Sequence, residues 1–483
     1  MATTIRNPIL PGFHPDPSWV RVNGVTYLTA STFGWLPGLP IYSSRDLCAW
    51  QRLPPALGPS SGLDLRGCNC DDGLYAPGLR HDGKRFLLSC TVVERKAQRF
   101  RNFICSTEDP TQGWNTPVWL PEDIGRIDPT PFIDDDGALY LLLNDLPSSA
   151  DHHGANREIR LWRLDSDSLQ PLAGPTVLWH GHALAASTAE APRLFKRGGW
   201  YYLLIAEGGT GTGHAVTMAR SQSIHGPYTS CFANPLLTHR HLGPLEDLRC
   251  VGHADLIQWE EDNWWACVLA ERSHEKQRVI GRETMLLAVS WPANDWPTFA
   301  PGRARLDHSL DAPGERQVLP KTGWLALRAQ PEDVAKIDHQ WVTMPASEHS
   351  WEDTSAAPAL IARRISELSG RWTVDCDGPG GIALYTSDGA WLRLRRHENM
   401  VICEDGKGQQ LGSCKVSGLA RLELCWTDAS TYACINGETI AETATTTWAR
   451  PIFAGAVAVI FALASTGLLQ ATVVAKDCCG ISD

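Results

Sequence analysis

Trp19-Val-Arg-Val-Asn-Gly-Val-Thr-Tyr-Leu28 decides the fold: two short runs rich in β-branched and aromatic residues flank Asn23-Gly24. An Asn-Gly pair accepts the left-handed backbone that a two-residue hairpin turn requires, and the twist of that turn matches the strands it joins. The pattern recurs in Leu79-Arg-His-Asp-Gly-Lys-Arg-Phe-Leu-Leu88 and Phe132-Ile-Asp-Asp-Asp-Gly-Ala-Leu-Tyr-Leu-Leu142. It returns in Leu194-Phe-Lys-Arg-Gly-Gly-Trp-Tyr-Tyr-Leu-Leu204 and Leu256-Ile-Gln-Trp-Glu-Glu-Asp-Asn-Trp-Trp265. Marked at Gly24, Gly83, Gly137, Gly198 and Asn263, the intervals are 59, 54, 61 and 65 residues. Each interval holds one four-stranded sheet, which is more than the roughly 40–45 residues of a WD40 repeat. No strand–helix alternation suggests a barrel ringed by helices. The expected fold is all-β, a five-bladed β-propeller, with an array of β-sandwiches as its competitor.

The residues ahead of each hairpin carry the chemistry, because the innermost strand of a propeller blade begins near the central channel. Asp16 stands eight positions before Gly24, Asp128 nine before Gly137 and Glu190 eight before Gly198. The corresponding places in the second and fifth repeats hold Tyr75 and His253. Five such positions converge on one pocket with three carboxylates, an aromatic ring and an imidazole. An Asp-Pro or Asp-Gly alone is an ordinary turn former. Acids at one phase of three repeats are another matter, since clustered like charges destabilise a fold and shift each other's pKa. Glycosidic hydrolysis needs one protonated carboxyl to donate to the leaving oxygen and one carboxylate to activate water or attack the sugar. The expected roles are Asp16 as general base, Glu190 as general acid and Asp128 as the group that tunes and orients Glu190.

Composition narrows the alternatives. The 483 residues include 43 Lys and Arg against 54 Asp and Glu, a net charge of −11 without a long basic run. Nucleic acid and anionic membranes are repelled on average. Residues 1–10 lack a basic segment followed by an apolar stretch, which predicts a cytoplasmic protein, or a secreted one if a leader has been removed. The fifteen cysteines, including the close pairs Cys68/Cys70 and Cys478/Cys479, show no zinc-site spacing and read as mostly free, buried thiols. The apolar run 453–469 falls short of a bilayer span and reads as a buried strand pair. The glycine-rich stretch 208–213 lacks the Gly-Lys-Ser/Thr of a phosphate loop and reads as loop packing.

Several of these segments resemble glycoside hydrolase family 43, and within it the two-domain β-xylosidases and α-L-arabinofuranosidases. Asn7-Pro-Ile-Leu-Pro-Gly-Phe-His-Pro-Asp16-Pro is similar to the opening motif with its base, Asp128-Pro-Thr-Pro-Phe132 to that of the pKa-modulating Asp, and Ala189-Glu190-Ala-Pro-Arg193 to that of the general acid. The stretch from Ser31 through Phe33 and Trp35 resembles a pocket-lining segment. Gly252-His253-Ala-Asp255 resembles the motif of the axial histidine, and Gly281-Arg282-Glu-Thr that of a sugar-binding Arg. Tyr75 stands where the family usually has Trp. The resemblance implies a single-displacement, inverting exo-hydrolase that releases terminal xylose from β-1,4-xylo-oligosaccharides, or an α-L-arabinofuranosidase acting on arabinoxylan side chains. A sugar-binding propeller without catalysis is the reading from another class.

Phe33, Trp35, Tyr75, His253 and Arg282 are the expected substrate-binding residues. No cofactor is required; His253 is either a neutral, hydrogen-bonding core residue or, as the resemblance implies, faces a central water or a Ca²⁺ ion. The expected partner is an oligosaccharide, and self-association into a homo-oligomer is compatible with the sequence. The propeller is assigned to 1–310 and a Pro-, Gly- and charge-rich linker to 311–336. A β-sandwich domain is assigned to 337–483; its resemblance to the accessory domain of the same β-xylosidases implies a loop that leans over the pocket.

Overall fold

The structure, a computed structural model, describes residues 3–473 other than 148–155, 184–185, 187, 244–245, 274–278, 339–340 and 464–467. Five four-stranded antiparallel sheets follow one another along the chain. Blade one is built from Ser18–Val22, Val25–Thr29, Ile41–Ser44 and Gln51–Leu53. The inner strands of blades two to five are Gly73–His81, Ile127–Ile133, Glu190–Arg197 and Leu248–Glu260. Each inner strand returns through the hairpin marked in the sequence. At the first, Asn23 and Gly24 both have positive φ, 50° and 76°, as a primed turn requires. Blade two packs on one and three, four on three, and the inner strand of blade five on blades four and one, so the ring closes.

Closure is reinforced twice. On the rim, Thr3–Arg6 pairs with Ser309–Ala312, while the Asn7 side chain bonds the backbone of Leu286 in blade five through both its amide groups. At the centre, the buried carboxylate of Asp255 in blade five accepts from Ser18 Oγ of blade one at 2.7 Å and from both Nη atoms of Arg80 in blade two. Arg193 of blade four lies 3.5 Å away. Desolvating these charges would be costly singly; paired, they hold four blades to one point.

The inner strands share a backbone feature as well as a hairpin. Asp16, Ala76, Asp128, Ala191 and His253 all adopt positive φ. In blades two to five this coincides with a break in register against the second strand. A bulge of this kind re-aims side chains, and non-glycine residues persist in such a conformation only where their surroundings over-determine it.

Beyond the propeller, two antiparallel sheets of eight and seven strands enclose a core that includes Trp372, Ile382, Leu384, Leu422 and Trp426. Two expectations are corrected. The segment 311–336 is not simply a linker: Leu325–Leu327 forms a strand of the eight-stranded sheet, between Leu360–Arg364 and Trp35–Leu36 of the propeller. Its apolar side chains are fully buried there, which a solvated linker does not allow. The run 453–469 likewise does not form a pair. Val457–Ala462 sits in the eight-stranded sheet and Leu468–Val473 in the seven-stranded one. No helix among the described residues is long and apolar enough to cross a membrane. Among the described cysteines none forms a disulfide, and Cys478 and Cys479 lie outside the described residues.

Candidate active site

A pocket of about 260 Å³ opens at the bulged ends of the inner strands, lined by Asp16, Tyr75, Asp128, Glu190, His253 and Arg282, among others. The five repeat positions therefore meet, one from each blade.

Asp16 is the most heavily tied of the three acids. Its Oδ2 accepts from Ser31 Oγ at 2.7 Å, and its Oδ1 accepts from Arg282 Nη1 at 2.9 Å. The same Ser31 hydroxyl accepts the Ala76 N–H, which links the acid of blade one to the backbone of blade two. Burial works against the charged form of Asp16, but the Arg282 guanidinium and the Ser31 bond outweigh it and hold the carboxyl below its ordinary value of 3.8. Asp16 is thus ionised across the neutral range.

Glu190 is governed by the opposite balance. Burial, followed by the charges of Asp128 and Asp16, pushes its carboxyl up to about 8, and it has no ion-pair partner among the described residues. Asp128 is raised to about 7, by burial first, against the Ala191 N–H bond that favours its charged form. That bond, Ala191 N–H to Asp128 Oδ2 at 2.8 Å, fastens Asp128 to the residue following Glu190. One acid is kept charged and another protonated in a single pocket, the arrangement that general acid–base chemistry at neutral pH requires.

The raised Glu190 value has a stability consequence. Below about pH 4.5 the carboxyl is protonated whether the chain is folded or not, so it carries no penalty. As pH rises towards 8 the unfolded chain ionises first and stability falls. Glu190→Gln is therefore expected to raise the Tm at pH 8 and leave it unchanged at pH 4. Thermal denaturation at both pH values checks this, and an equal shift at the two would contradict it.

Comparison with known proteins bears on this arrangement. The profile of the family described as Glycosyl hydrolases family 43 matches residues 5–297, more than half of the chain. The chain belongs to glycosyl hydrolase family 43. It is 36% identical over 307 residues to a xylosidase/arabinosidase of Butyrivibrio fibrisolvens, covering 63% of this chain and 58% of that relative. It is also 36% identical over 374 residues to xylosidase/arabinosidase 43B of Humicola insolens, covering 76% of this chain and 67% of that protein. The matched stretch thus spans well under two thirds of the first relative's own length. Among solved structures, a xylan β-1,4-xylosidase from Bacillus halodurans C-125 superposes with a TM-score of 0.84 at 25% identity, over 97% of this chain and 98% of that one. This family-43 chain therefore has both the five-bladed propeller and the C-terminal β domain.

The remaining expected site residues are placed unevenly. Arg282 is buried; besides Asp16 it bonds the Phe453 carbonyl through Nη2, and its Nε has no partner among the described residues. Tyr75 lines the pocket, its hydroxyl donating to the Asp71 carbonyl. Phe33 is fully buried behind that wall, edge-on to Tyr75 with ring centres 5.1 Å apart and with Arg282 5.6 Å from its ring. Trp35 is not at the pocket, contrary to expectation. It pairs with Leu327 and packs on Tyr385, inside the core between the two domains.

A Ca²⁺ ion at His253 is not shown. His253 is kept neutral, its pKa lowered to about 3 by burial, and its Nε2 lies 3.5 Å from the buried guanidinium of Arg193. The nearest carboxylate, Asp16, is already held by Arg282. A dication there would face two guanidinium groups, and no group of three potential metal ligands occurs among the described residues.

Two parts of the wall escaped the sequence reading. Gly209 and Thr210 come from the glycine-rich stretch read as packing, so that loop is part of the pocket. Phe453 comes from the second domain and packs on Tyr75 at 5.7 Å. What seats it is Asp71, whose Oδ1 accepts the N–H groups of Phe453 at 3.1 Å and Ala454 at 2.7 Å. Losing two such bonds frees the loop at the pocket mouth. Asp71→Ala is expected to raise KM about tenfold while kcat changes much less. Steady-state kinetics on an aryl glycoside tests this; a loss confined to kcat would contradict it.

Proposed function

We propose that the protein is an inverting exo-glycoside hydrolase that releases terminal xylose from β-1,4-xylo-oligosaccharides. The observation that carries this reading is the opposed protonation of Asp16 and Glu190 within one pocket. Asp16 takes a proton from a water molecule as its oxygen attacks the anomeric carbon. Glu190 delivers its proton to the glycosidic oxygen as the C–O bond breaks. Asp128 raises the pKa of Glu190 through its charge and is fixed by the Ala191 N–H. Arg282 orients Asp16, and its unpaired Nε is available to a sugar hydroxyl.

Exo action follows from size. A volume of about 260 Å³ lies just below the range of roughly 300–1,000 Å³ common for small-ligand sites, and it suits one terminal sugar rather than a chain passing through. Phe453 offers an apolar face to the C–H side of that sugar.

α-L-Arabinofuranosidase activity is the second reading, supported by the double activity in the names of the Butyrivibrio and Humicola relatives. Comparing kcat/KM on 4-nitrophenyl β-D-xylopyranoside and 4-nitrophenyl α-L-arabinofuranoside separates the two. The xyloside is expected to be the better substrate. A preference for the arabinofuranoside would establish the second reading, and sugar binding without turnover of either would leave a non-catalytic propeller.

A further inference from the structure

Away from the catalytic pocket, beside blade one and the second domain, lies a larger cavity of about 840 Å³. Arg52, Arg316, Lys321, Arg363 and Arg364 stand in its wall, with Glu367 the one acid among its described lining residues. In a chain of net charge −11 this is a local reversal of sign. Arg52, Arg316, Lys321 and Arg364 have no ion-pair partner among the described residues.

Arg364 is the centre of the group. Its side chain is 96% removed from solvent, its Nε donates to the Phe13 carbonyl at 2.9 Å, and its guanidinium stacks 4.7 Å from the Phe13 ring. Its Nη2 is buried without a partner among the described residues. Burial and the charge of Arg52 lower its pKa to about 10, a sign of how poorly the charge is compensated. Arg52 is itself placed, with Nη1 donating to the Thr322 carbonyl at 3.4 Å. A buried guanidinium with an unmade hydrogen bond, under the repulsion of the Arg52 charge, is unfavourable unless an anion completes it.

We propose that this cavity is a binding site for a small oxyanion, either the carboxylate of an acidic sugar or inorganic phosphate. Planar guanidinium forks match both groups through paired N–H···O bonds. The cavity is sized for a small ligand, and the overall negative charge turns away a polyanionic backbone. Pro11 also belongs to the wall, so the segment that leads to Asp16 starts at this site.

Isothermal titration calorimetry of the full chain with sodium phosphate and, separately, sodium D-glucuronate tests the assignment, with sodium chloride holding ionic strength constant. Saturable binding of one anion per chain is expected, with a matching rise in Tm. Binding of phosphate alone identifies a phosphate-bearing ligand, and binding of glucuronate alone an acidic sugar. The double variant Arg52→Gln/Lys321→Gln, at the rim, is expected to weaken binding about tenfold or more. Arg364→Gln is expected to abolish binding, and the rim variant keeps the test readable should that buried change cost the fold. No saturable binding of either anion, or unchanged affinity in the rim variant, would overturn the proposal. Neither outcome depends on whether the protein hydrolyses xylosides.

Discussion

Asp16→Asn is expected to lower kcat by about 10²–10⁴-fold, to a similar extent on substrates with good and poor leaving groups. Asn has nearly the shape of Asp and keeps an oxygen for the Ser31 hydroxyl or Arg282. It cannot accept the proton of the attacking water. Because every substrate needs that water, an acidic leaving group brings no relief. The substitution also leaves the buried guanidinium of Arg282 without its counter-charge, so a substantial loss of stability should accompany the kinetic one. Rates with 4-nitrophenyl β-xyloside and xylobiose, measured on protein shown by circular dichroism to be folded, check the result. Retention of a tenth or more of wild-type kcat would remove Asp16 from the chemistry.

Glu190→Ala is expected to behave differently. With xylobiose, whose departing sugar oxygen is strongly basic, kcat should fall by about 10²–10⁴-fold. With an aryl xyloside whose phenol is acidic, protonation contributes little and the loss should stay within about tenfold. The wild-type pH profile of kcat/KM should decline on the alkaline side near pH 8, as Glu190 loses the proton it must donate. On the acid side it should decline only below the ordinary carboxylate value, where Asp16 is finally protonated. In Glu190→Ala the alkaline limb should disappear for the activated substrate. Equal losses on both substrates would undo the division of labour between the two acids.

What could be read in the sequence was local, or repeated. Asn23-Gly24, Asp82-Gly83 and Asp136-Gly137 announce hairpins because a turn's conformational demands fall on the two residues that make it. The five blades, and the meeting of Asp16, Tyr75, Asp128, Glu190 and His253, follow from counting back from those turns. The bulges could not be read. Asp16, Asp128 and His253 carry positive φ with no glycine to mark it, because the strain is imposed by neighbouring blades.

Trp35 shows the limit of short-range reasoning. It follows Phe33 by two residues, so one face of one strand is the natural inference. The chain instead passes Gly34, where an added Cβ would lie 2.5 Å from the Asn69 carbonyl oxygen, and crosses into the second domain's sheet. The partner that draws it there, Leu327, is nearly three hundred residues away. Phe453 escaped for the same reason. Within an apolar run nothing distinguishes it from core, and its place at the pocket is set by Asp71 in blade two. The Cys68-Asn-Cys-Asp-Asp72 segment thus acts as a clasp between the domains. Besides the Asp71 bonds, Arg328 donates to the Cys68 carbonyl and the Gly67 N–H donates to the Thr354 carbonyl at 2.7 Å.

In the proposed mechanism Asp16 and Glu190 divide a single displacement between them, with water attacking from the face opposite the departing oxygen. Following the first minutes of hydrolysis of an aryl β-D-xylopyranoside by proton NMR tests this most directly, before mutarotation mixes the anomers. α-Xylose should appear first, with the β-anomer growing in later. β-Xylose as the first product would mean two displacements through a covalent intermediate, and would contradict the role of Asp16 as general base.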